Sequence, residues 1–159
     1  MKDIYRMNFK IYTNNKEIVM LYTKNKNIED SGIDVFFPSD ITIKASYIPT
    51  IVDLNIVVKL CDVTGCYAPF YVIPRSNISK LPIGMANSVG LIDKGYNGNL
   101  KVAIRNYSNE DYDIKKHISL FQIVSPTLKP CSLYVELCDK NNLEKTIRGS
   151  GGFGSTGNC

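Results

Sequence analysis

A glycine-rich segment near the end of the chain has residue types that could bind a ligand. Between Arg148 and Gly157 the sequence reads RGSGGFGSTG, with no aliphatic residue. Glycines expose backbone N–H groups to an anion, the hydroxyls of Ser155 and Thr156 are further donors, and Arg148 is a forked cation. Phe153 is a flat apolar surface on which a base can stack. A flexible terminus with an incidental aromatic has the same composition, so both interpretations stay open.

A basic turn directly after an apolar strand is the second candidate. Pro74 ends the strand, because proline lacks the N–H that strand pairing needs. Arg75, Ser76 and Lys80 then place two cations and a hydroxyl in one turn, a set of donors that suits phosphate. An ordinary solvated loop has the same composition, so this turn alone predicts no particular ligand.

The segment from Ala86 to Leu100 predicts a β-hairpin with a carboxylate and an aromatic ring in its turns. The backbone N–H and C=O groups of a hairpin edge can match the hydrogen bonds of a base. Asp93 is a carboxylate in an apolar setting and therefore a candidate general base. The ring of Tyr96 could pack against a sugar, although a plain hairpin with a capping aspartate explains the same residues. Three glycines mark the bends: Gly90, Gly95 and Gly98.

Three single polar residues interrupt apolar strands or their entrances. Asp34 alternates with Ile33 and Val35, so it faces either inward or the solvent. Gln122 lies inside an apolar run, where its amide either finds partners or points to solvent. His117 is the only histidine and is predicted to lie in a loop. A zinc site built on several histidines is therefore excluded, and any Ser-His-Asp triad would have to include this residue.

The apolar pattern around these segments predicts an all-β chain. Alternation with a period of two and short continuous apolar runs recur between turn signals, and no stretch of 12 residues has helical spacing. Only a turn or two of helix is expected, after Arg75 or before Arg148. Strands of alternating pattern are 41–45, 100–105 and 133–137, and strands buried on both faces are 51–60, 70–73 and 118–124. Many short strands with frequent turns predict a sandwich, jelly roll or barrel.

Composition limits the classes of protein that fit. The 159 residues are 44% hydrophobic and 21% charged, which excludes wholesale disorder. No apolar run approaches the roughly 20 residues of a membrane helix, and the N-terminus carries charges where a signal peptide is apolar. An intracellular location, cytoplasmic or nuclear, is therefore expected, with five reduced cysteines. The net charge of +4 fits an anionic small ligand or nucleic acid and decides neither.

Taken in order, the segments SGID, PRS, GLIDKGYNG, the glutamine-bearing strand and RGSGGFGSTG resemble the five motifs of the trimeric dUTPases, the deoxyuridine triphosphate nucleotidohydrolases. The resemblance extends from about Ser31 to Gly157. It implies a jelly-roll-like β subunit of a homotrimer whose active sites are shared between subunits. Residues 1–147 would form the β domain, and residues 148–159 a flexible arm that closes an active site.

The resemblance also implies the reaction. Members of the family cleave dUTP to dUMP and pyrophosphate with Mg²⁺, which keeps uracil out of DNA and supplies dUMP for dTMP synthesis. Asp93 would be the general base that activates the water attacking the α-phosphorus. Tyr96 would lie under the deoxyribose and reject ribonucleotides. Uracil would be bound by the hairpin residues Gly90, Leu91 and Ile92, with Asn87 nearby.

The remaining motif residues would bind the phosphates. Asp34 would orient the waters of a magnesium ion held mainly by the triphosphate. In the arm, Phe153 would stack on uracil and Arg148 would pair with the γ-phosphate. The other substrate-binding residues implied are Arg75, Ser76, Asn77, Lys101, Gln122, Gly154, Ser155 and Thr156. No nucleic acid or membrane partner is expected.

Some positions depart from the family pattern, and other functions compete. Asn99 replaces a frequent glutamate, so a salt bridge there is in doubt, while Ser150 replaces an acidic residue and His117 a glycine. A dCTP deaminase of the same architecture needs a glutamate near the hairpin, but no glutamate lies between Glu29 and Glu110. A nucleotide sensor without catalysis and a β-sandwich interaction module are the further alternatives.

Overall fold

The computed structural model describes residues 7–24, 29–139, 143 and 149–152. Within these ranges the chain is built mainly of short strands, as predicted. The elements are β1 Asn8–Thr13, α1 Lys16–Lys24, β2 Gly32–Val35, β3 Ile41–Ile43, β4 Thr50–Asp53, β5 Val57–Cys61, β6 Tyr67–Ala68, β7 Phe70–Pro74, a 3₁₀ helix Ser76–Lys80, β8 Ile83–Met85, β9 Gly90–Ile92, β10 Lys101–Asn106, β11 Tyr112–Ile114, β12 Phe121–Val124 and β13 Ser132–Leu137.

The described strands form four small sheets, and one of them carries five of the predicted site residues, Asp34, Gly90, Leu91, Ile92 and Gln122. Their strand orders are β13-β1-β5-β6, β4-β10-β8, β11-β3 and β2-β12-β7-β9. In the last sheet, Gln122 on β12 lies opposite Asp34 on β2 and Ile73 on β7. Three motifs that are far apart in the sequence therefore become neighbours because their strands pair.

Aromatic side chains fill the space between the sheets. Phe9, Phe37, Phe70 and Phe121 are each 2% exposed or less. The ring of Phe9 meets that of Phe70 edge-on, with centroids 5.4 Å apart, a favourable arrangement for aromatic pairs. Because Phe70 begins β7, this packing fixes the strand that pairs with both β9 and β12.

The sequence analysis missed strands β1 and β11, and its single strand 51–60 is divided into β4, which is buried on one face only, and the fully buried β5. It also missed helix α1, nine residues long. The side chain of Asn15 caps its first turn by accepting hydrogen bonds from the N–H groups of Glu17 at 2.9 Å and Ile18 at 3.4 Å. The helix buries Ile18 and Tyr22, and the Tyr22 ring meets Phe36 edge-on at 5.2 Å. The predicted helical turn after Arg75 is confirmed by the 3₁₀ helix.

Four of the five cysteines lie in the described part of the chain. Cys61, Cys66, Cys131 and Cys138 are free, while Cys159 lies outside the described residues. Within the described ranges, no helix is long and apolar enough to span a bilayer.

Candidate active site

A cavity of about 190 Å³ opens beside the hairpin strand β9. Its wall combines the edge of one sheet, the turn that follows and two glycines of the C-terminal segment. The lining residues are Val72, Met85, Asn87, Gly90, Leu91, Ile92, Asp93, Tyr96, Lys101, Gly151 and Gly152. The structure therefore brings together in one cavity the predicted general base, the predicted sugar-contacting ring and the predicted base-binding hairpin.

β9 packs closely against β7 and Met85 because residue 90 is a glycine. Gly90 pairs with Val72 on β7, and a Cβ at position 90 would lie 3.1 Å from Cε of Met85. β9 is also the last strand in its sheet, so one side of its backbone has no strand partner among the described residues. Such an edge offers N–H and C=O groups to a ligand.

The turn after β9 holds Tyr96 in one position. The backbone N–H of Tyr96 donates to the carbonyl of Asp93 at 3.2 Å, and its hydroxyl donates to the carbonyl of Asn99 at 3.0 Å. The ring lies directly over Gly98, where a Cβ would collide with the Tyr96 hydroxyl. The spacing of tyrosine and glycine in this motif therefore has a steric cause.

Asn99, which lies where the family pattern often has a glutamate, hydrogen-bonds to a carboxylate. Its Nδ2 donates to Oδ2 of Asp53 at 2.8 Å, and Oδ1 of Asp53 accepts from the N–H of Asn55 at 2.7 Å. An amide-to-carboxylate hydrogen bond thus ties the end of the turn to β4 without a salt bridge.

Arg75 and Asp34 form the second group of site residues, on the same sheet. Nη1 of Arg75 lies 2.9 Å from Oδ2 of Asp34 and donates to the carbonyl of Ser119 at 3.2 Å. Nδ2 of Asn77 donates to that carbonyl at 3.1 Å. Both contacts of the guanidinium are made by Nη1.

Burial raises the pKa of the Asp34 carboxyl, nearby Asp30 raises it further, and the Arg75 cation opposes both. The two paired side chains are each about one third exposed, at 36% for Arg75 and 33% for Asp34. Water therefore screens the ion pair, which orients Arg75 more than it stabilises the fold.

The sequence left open whether the Gln122 amide finds partners or points to solvent. In the structure the side chain is half-buried and has a hydrogen-bond partner. Its Nε2 donates to the carbonyl of Pro74 at 3.4 Å. Its side chain lies over Gly32, where a Cβ would collide with Oε1. Because Gln122 and Asp34 are register partners, their side chains share one face of the sheet.

The two groups of predicted site residues are separate in the structure. Asp34, Arg75, Ser76, Asn77 and Gln122 are not among the cavity lining. Arg75 follows the lining residue Val72 by three positions, about 10 Å along an extended strand.

Only the beginning of the C-terminal arm lies in the described part of the chain. The N–H of Asn97 donates to the carbonyl of Gly149 at 2.8 Å, and Gly151 and Gly152 line the cavity of their own chain. The predicted contacts of the arm with another subunit stay a prediction. The proposed roles of Arg148, Phe153, Gly154, Ser155 and Thr156 lie outside the described residues.

One residue that contacts the Tyr96–Asn97 turn from behind the site was missed by the sequence analysis. Lys59 on β5 is 4% exposed, and its Nζ donates to the carbonyl of Tyr96 at 2.5 Å and to Oδ1 of Asn97. The sequence showed only a lysine inside an apolar run. A charged residue within an apolar run was therefore the one feature of the sequence that could have pointed to Lys59.

The family model for dUTPases matches residues 19–157. The chain belongs to the dUTPase family. The resemblance predicted from the five motifs is thereby confirmed, and the match covers every predicted site residue.

Named relatives agree with this assignment. The deoxyuridine 5'-triphosphate nucleotidohydrolases of Clostridium acetobutylicum and Saccharomyces cerevisiae are 34% and 32% identical to the chain over 130 and 131 residues. Each alignment covers 80% of this chain, and they cover 83% and 81% of the relatives. The enzyme of that name from Rattus norvegicus is 33% identical over 80% of this chain and 57% of its own length.

Solved structures confirm the fold class. A mutant dUTPase of Staphylococcus bacteriophage 80alpha with dUpNHpp aligns with 94% of this chain and 98% of its own at a TM-score of 0.59 and 20% identity. The native EIAV dUTPase aligns with 74% of this chain and 85% of its own at a TM-score of 0.51 and 23% identity. The all-β, jelly-roll-like architecture predicted from the sequence is confirmed.

The donors of this site fit a metal carried by a ligand. In the described ranges, no three histidine, cysteine, aspartate or glutamate side chains are grouped so as to hold a metal ion. Mg²⁺ keeps several waters and commonly binds through one or two carboxylates together with substrate phosphates. Asp34 is such a carboxylate. The structure of a mutant dUTPase from phage phi11 of S. aureus is described as showing the coordination of a structural Mg(II) ion.

Proposed function

We propose that this chain hydrolyses dUTP to dUMP and pyrophosphate, as its family membership and relatives indicate. The observation that carries the proposal is the single cavity that joins an edge strand, Asp93 and Tyr96. Each of these features supplies one requirement of the reaction: a surface for the base, a carboxylate for the water and a ring for the sugar.

The edge strand β9 supports recognition of uracil by the backbone. Gly90, Leu91 and Ile92 offer main-chain donors and acceptors, with Asn87 beside them in the lining. Val72 and Met85, which pack against Gly90, line the same cavity. Exclusion of a base that carries a methyl group is proposed for this narrow hairpin.

Tyr96 supports selection of the sugar. Its ring is fixed by the Asn99 carbonyl and by contact with Gly98, so it cannot retreat without cost. A 2'-hydroxyl on a sugar packed against this ring would meet a fixed surface. The proposal therefore assigns discrimination against ribonucleotides to Tyr96.

Asp93 is proposed to be the general base. It is exposed at the end of β9 and lines the cavity, so a water molecule can reach its carboxylate. The carboxylate would orient a water for in-line attack on the α-phosphorus and accept its proton. The bond that breaks joins the α-phosphorus to the bridging oxygen, and pyrophosphate leaves.

The phosphate chain would extend from the cavity toward Arg75. Asp34 orients the guanidinium, and Ser76, Asn77, Gln122 and Lys101 are the further polar groups proposed along this path. Mg²⁺ bound to the triphosphate would stabilise the charge that develops on the leaving pyrophosphate. Asp34 would hold waters of that ion.

The arm is proposed to complete the site. Phe153 would stack on uracil, Arg148 would pair with the γ-phosphate, and Gly154, Ser155 and Thr156 would line the phosphates. The contact between Asn97 and Gly149 supports this proposal, because it directs the start of the arm along the cavity. A homotrimer with shared sites and an intracellular location complete the proposal.

A panel of nucleotides tests the proposal. The purified protein is incubated with Mg²⁺ and each of dUTP, dCTP, dTTP and UTP, and pyrophosphate, phosphate and ammonia are measured. Pyrophosphate from dUTP alone, with dUMP, is the expected result. Ammonia from dCTP would indicate a deaminase instead. Binding of dUTP without any product would indicate a nucleotide sensor, and neither binding nor product would contradict the proposal.

A further inference from the structure

Lys59 is a lysine inside a strand whose residues are all buried. β5 runs from Val57 to Cys61, and the Lys59 side chain is 4% exposed. Burial lowers the pKa of Lys59, since a charged ammonium loses its hydration there. None of the ion pairs among the described residues includes Lys59. Burying an ammonium group without a carboxylate partner is costly, so the hydrogen bonds of Lys59 must offset that cost.

Those hydrogen bonds go to the turn that carries the proposed sugar-contacting ring. Nζ of Lys59 donates to the carbonyl of Tyr96 at 2.5 Å and to Oδ1 of Asn97. The two acceptors are 37 and 38 residues away along the chain. Nζ also lies 5.1 Å from the centroid of the Tyr67 ring, a favourable position for a cation. One side chain thus connects a distant turn to an inner strand of a four-stranded sheet.

The same turn contacts the C-terminal arm. Asn97 accepts from Lys59 through its side chain, while its backbone N–H donates to the carbonyl of Gly149 at 2.8 Å. Gly151 and Gly152, just beyond, line the cavity. Lys59 is therefore linked through one residue to the segment whose glycines line the cavity, although Lys59 itself does not line it.

We propose that Lys59 is a positioning residue: it holds the Tyr96–Asn97 turn so that the Tyr96 ring meets the sugar and the arm begins its path beside the cavity. This inference rests on the proposed function, because it assigns Lys59 an effect on sugar selection. Lys59 contacts neither substrate nor reacting atoms in this arrangement. Its effect is transmitted through the backbone of the turn.

Lys59→Met tests the inference, with Lys10→Met as the matched control. Methionine fills a similar volume without donors, and Lys10 is an exposed lysine directly opposite Lys59 on β1. The rate of hydrogen exchange of the Asn97 amide reports how often the turn opens. The ratio of kcat/KM for dUTP over UTP reports how strongly the protein prefers deoxyribose to ribose. Lys59→Met should accelerate exchange and reduce the ratio, each by about tenfold, the effect of losing one charge-assisted hydrogen bond. Lys10→Met should match the wild type in both.

A purely structural role would lower the melting temperature and leave the ratio unchanged. Lys59→Met with wild-type amide exchange and a wild-type ratio therefore overturns the inference, whatever its stability. Should Lys59→Met fail to fold, Asn97→Ala takes its place, because it removes the Oδ1 acceptor and keeps the backbone N–H. Asn97→Ala should reduce the same ratio, and an unchanged ratio overturns the inference.

The exchange measurement separates this inference from the proposed function. Exchange of the Asn97 amide needs no turnover, so a wild-type protein that fails to hydrolyse dUTP overturns the proposed function alone. Faster exchange in Lys59→Met but not in Lys10→Met would still support Lys59 as the anchor of the turn.

Discussion

The contact between Tyr96 and Gly98 allows a quantitative prediction about the site. A Cβ at position 98 would lie 2.5 Å from Cζ of Tyr96, whereas ordinary contacts begin at about 3.4 Å. Gly98→Ala therefore forces the ring to move by about 1 Å, and the backbone at position 98 adds no strain because its φ is not positive. The hydrogen bond from the Tyr96 hydroxyl to Asn99 is lost in the same movement.

Two magnitudes follow from this displacement. Loss of the hydrogen bond and an unfavourable side-chain rotamer together should lower the free energy of unfolding by about 1–3 kcal/mol. A misplacement of about 1 Å at a site group should reduce kcat/KM for dUTP by up to about 100-fold. The preference for dUTP over UTP should narrow as well, because the displaced ring no longer opposes a 2'-hydroxyl.

Denaturant unfolding and steady-state kinetics measure both effects. Tyr96→Phe is the first control, since it removes the hydrogen bond but leaves the ring in place, and it should show the smaller loss. Tyr96→Ala is the second, because the three atoms nearest to the added methyl at position 98 all belong to the Tyr96 side chain. In the Tyr96→Ala background Gly98→Ala should thus cost little stability. Gly98→Ala alone with wild-type stability and kinetics would refute the steric reasoning.

The other predictions concern the base, the arm and pH. Asp93→Asn should reduce kcat by about 10²- to 10⁴-fold and retain dUTP binding by calorimetry; a wild-type rate would remove Asp93 as base. Deleting residues 148–159 should reduce kcat/KM sharply with unchanged circular dichroism and gel-filtration mass, and unchanged turnover would count against closure by the arm. The raised pKa of Asp34 means that its charged form is disfavoured by folding. As pH rises from about 4 to 7, the wild type should lose stability because Asp34 ionises, whereas Asp34→Asn has no such group. The free energy of urea unfolding of Asp34→Asn should therefore rise relative to that of the wild type. A relative fall would show that the attraction of Arg75 outweighs the cost of burying the Asp34 charge.

Short-range patterns predicted much of the site. Asn87, Gly90, Asp93 and Tyr96 lie within one hairpin, so the chain itself brings them together once the strands pair. The spacing of Tyr96 and Gly98 is likewise a local steric requirement. Local sequence is informative here because a turn fixes the geometry of residues only a few positions apart.

Other features depend on contacts that no local pattern contains. Helix α1 was missed because nine residues are too few for a clear helical period, and its cap at Asn15 was not recognised. Gln122 could not be oriented until Gly32 on the neighbouring strand was placed beneath it. Lys59 is connected to the site only through a turn 37 positions away, a separation at which sequence spacing carries no information.

Hydrolysis of dUTP in ¹⁸O-labelled water tests the central claim most directly. The wild-type protein is incubated with Mg²⁺ and dUTP, and the products are analysed by mass spectrometry. Attack of water on the α-phosphorus predicts one ¹⁸O atom in dUMP and none in pyrophosphate. Label in pyrophosphate, release of dUDP with phosphate, or the absence of any product would contradict it.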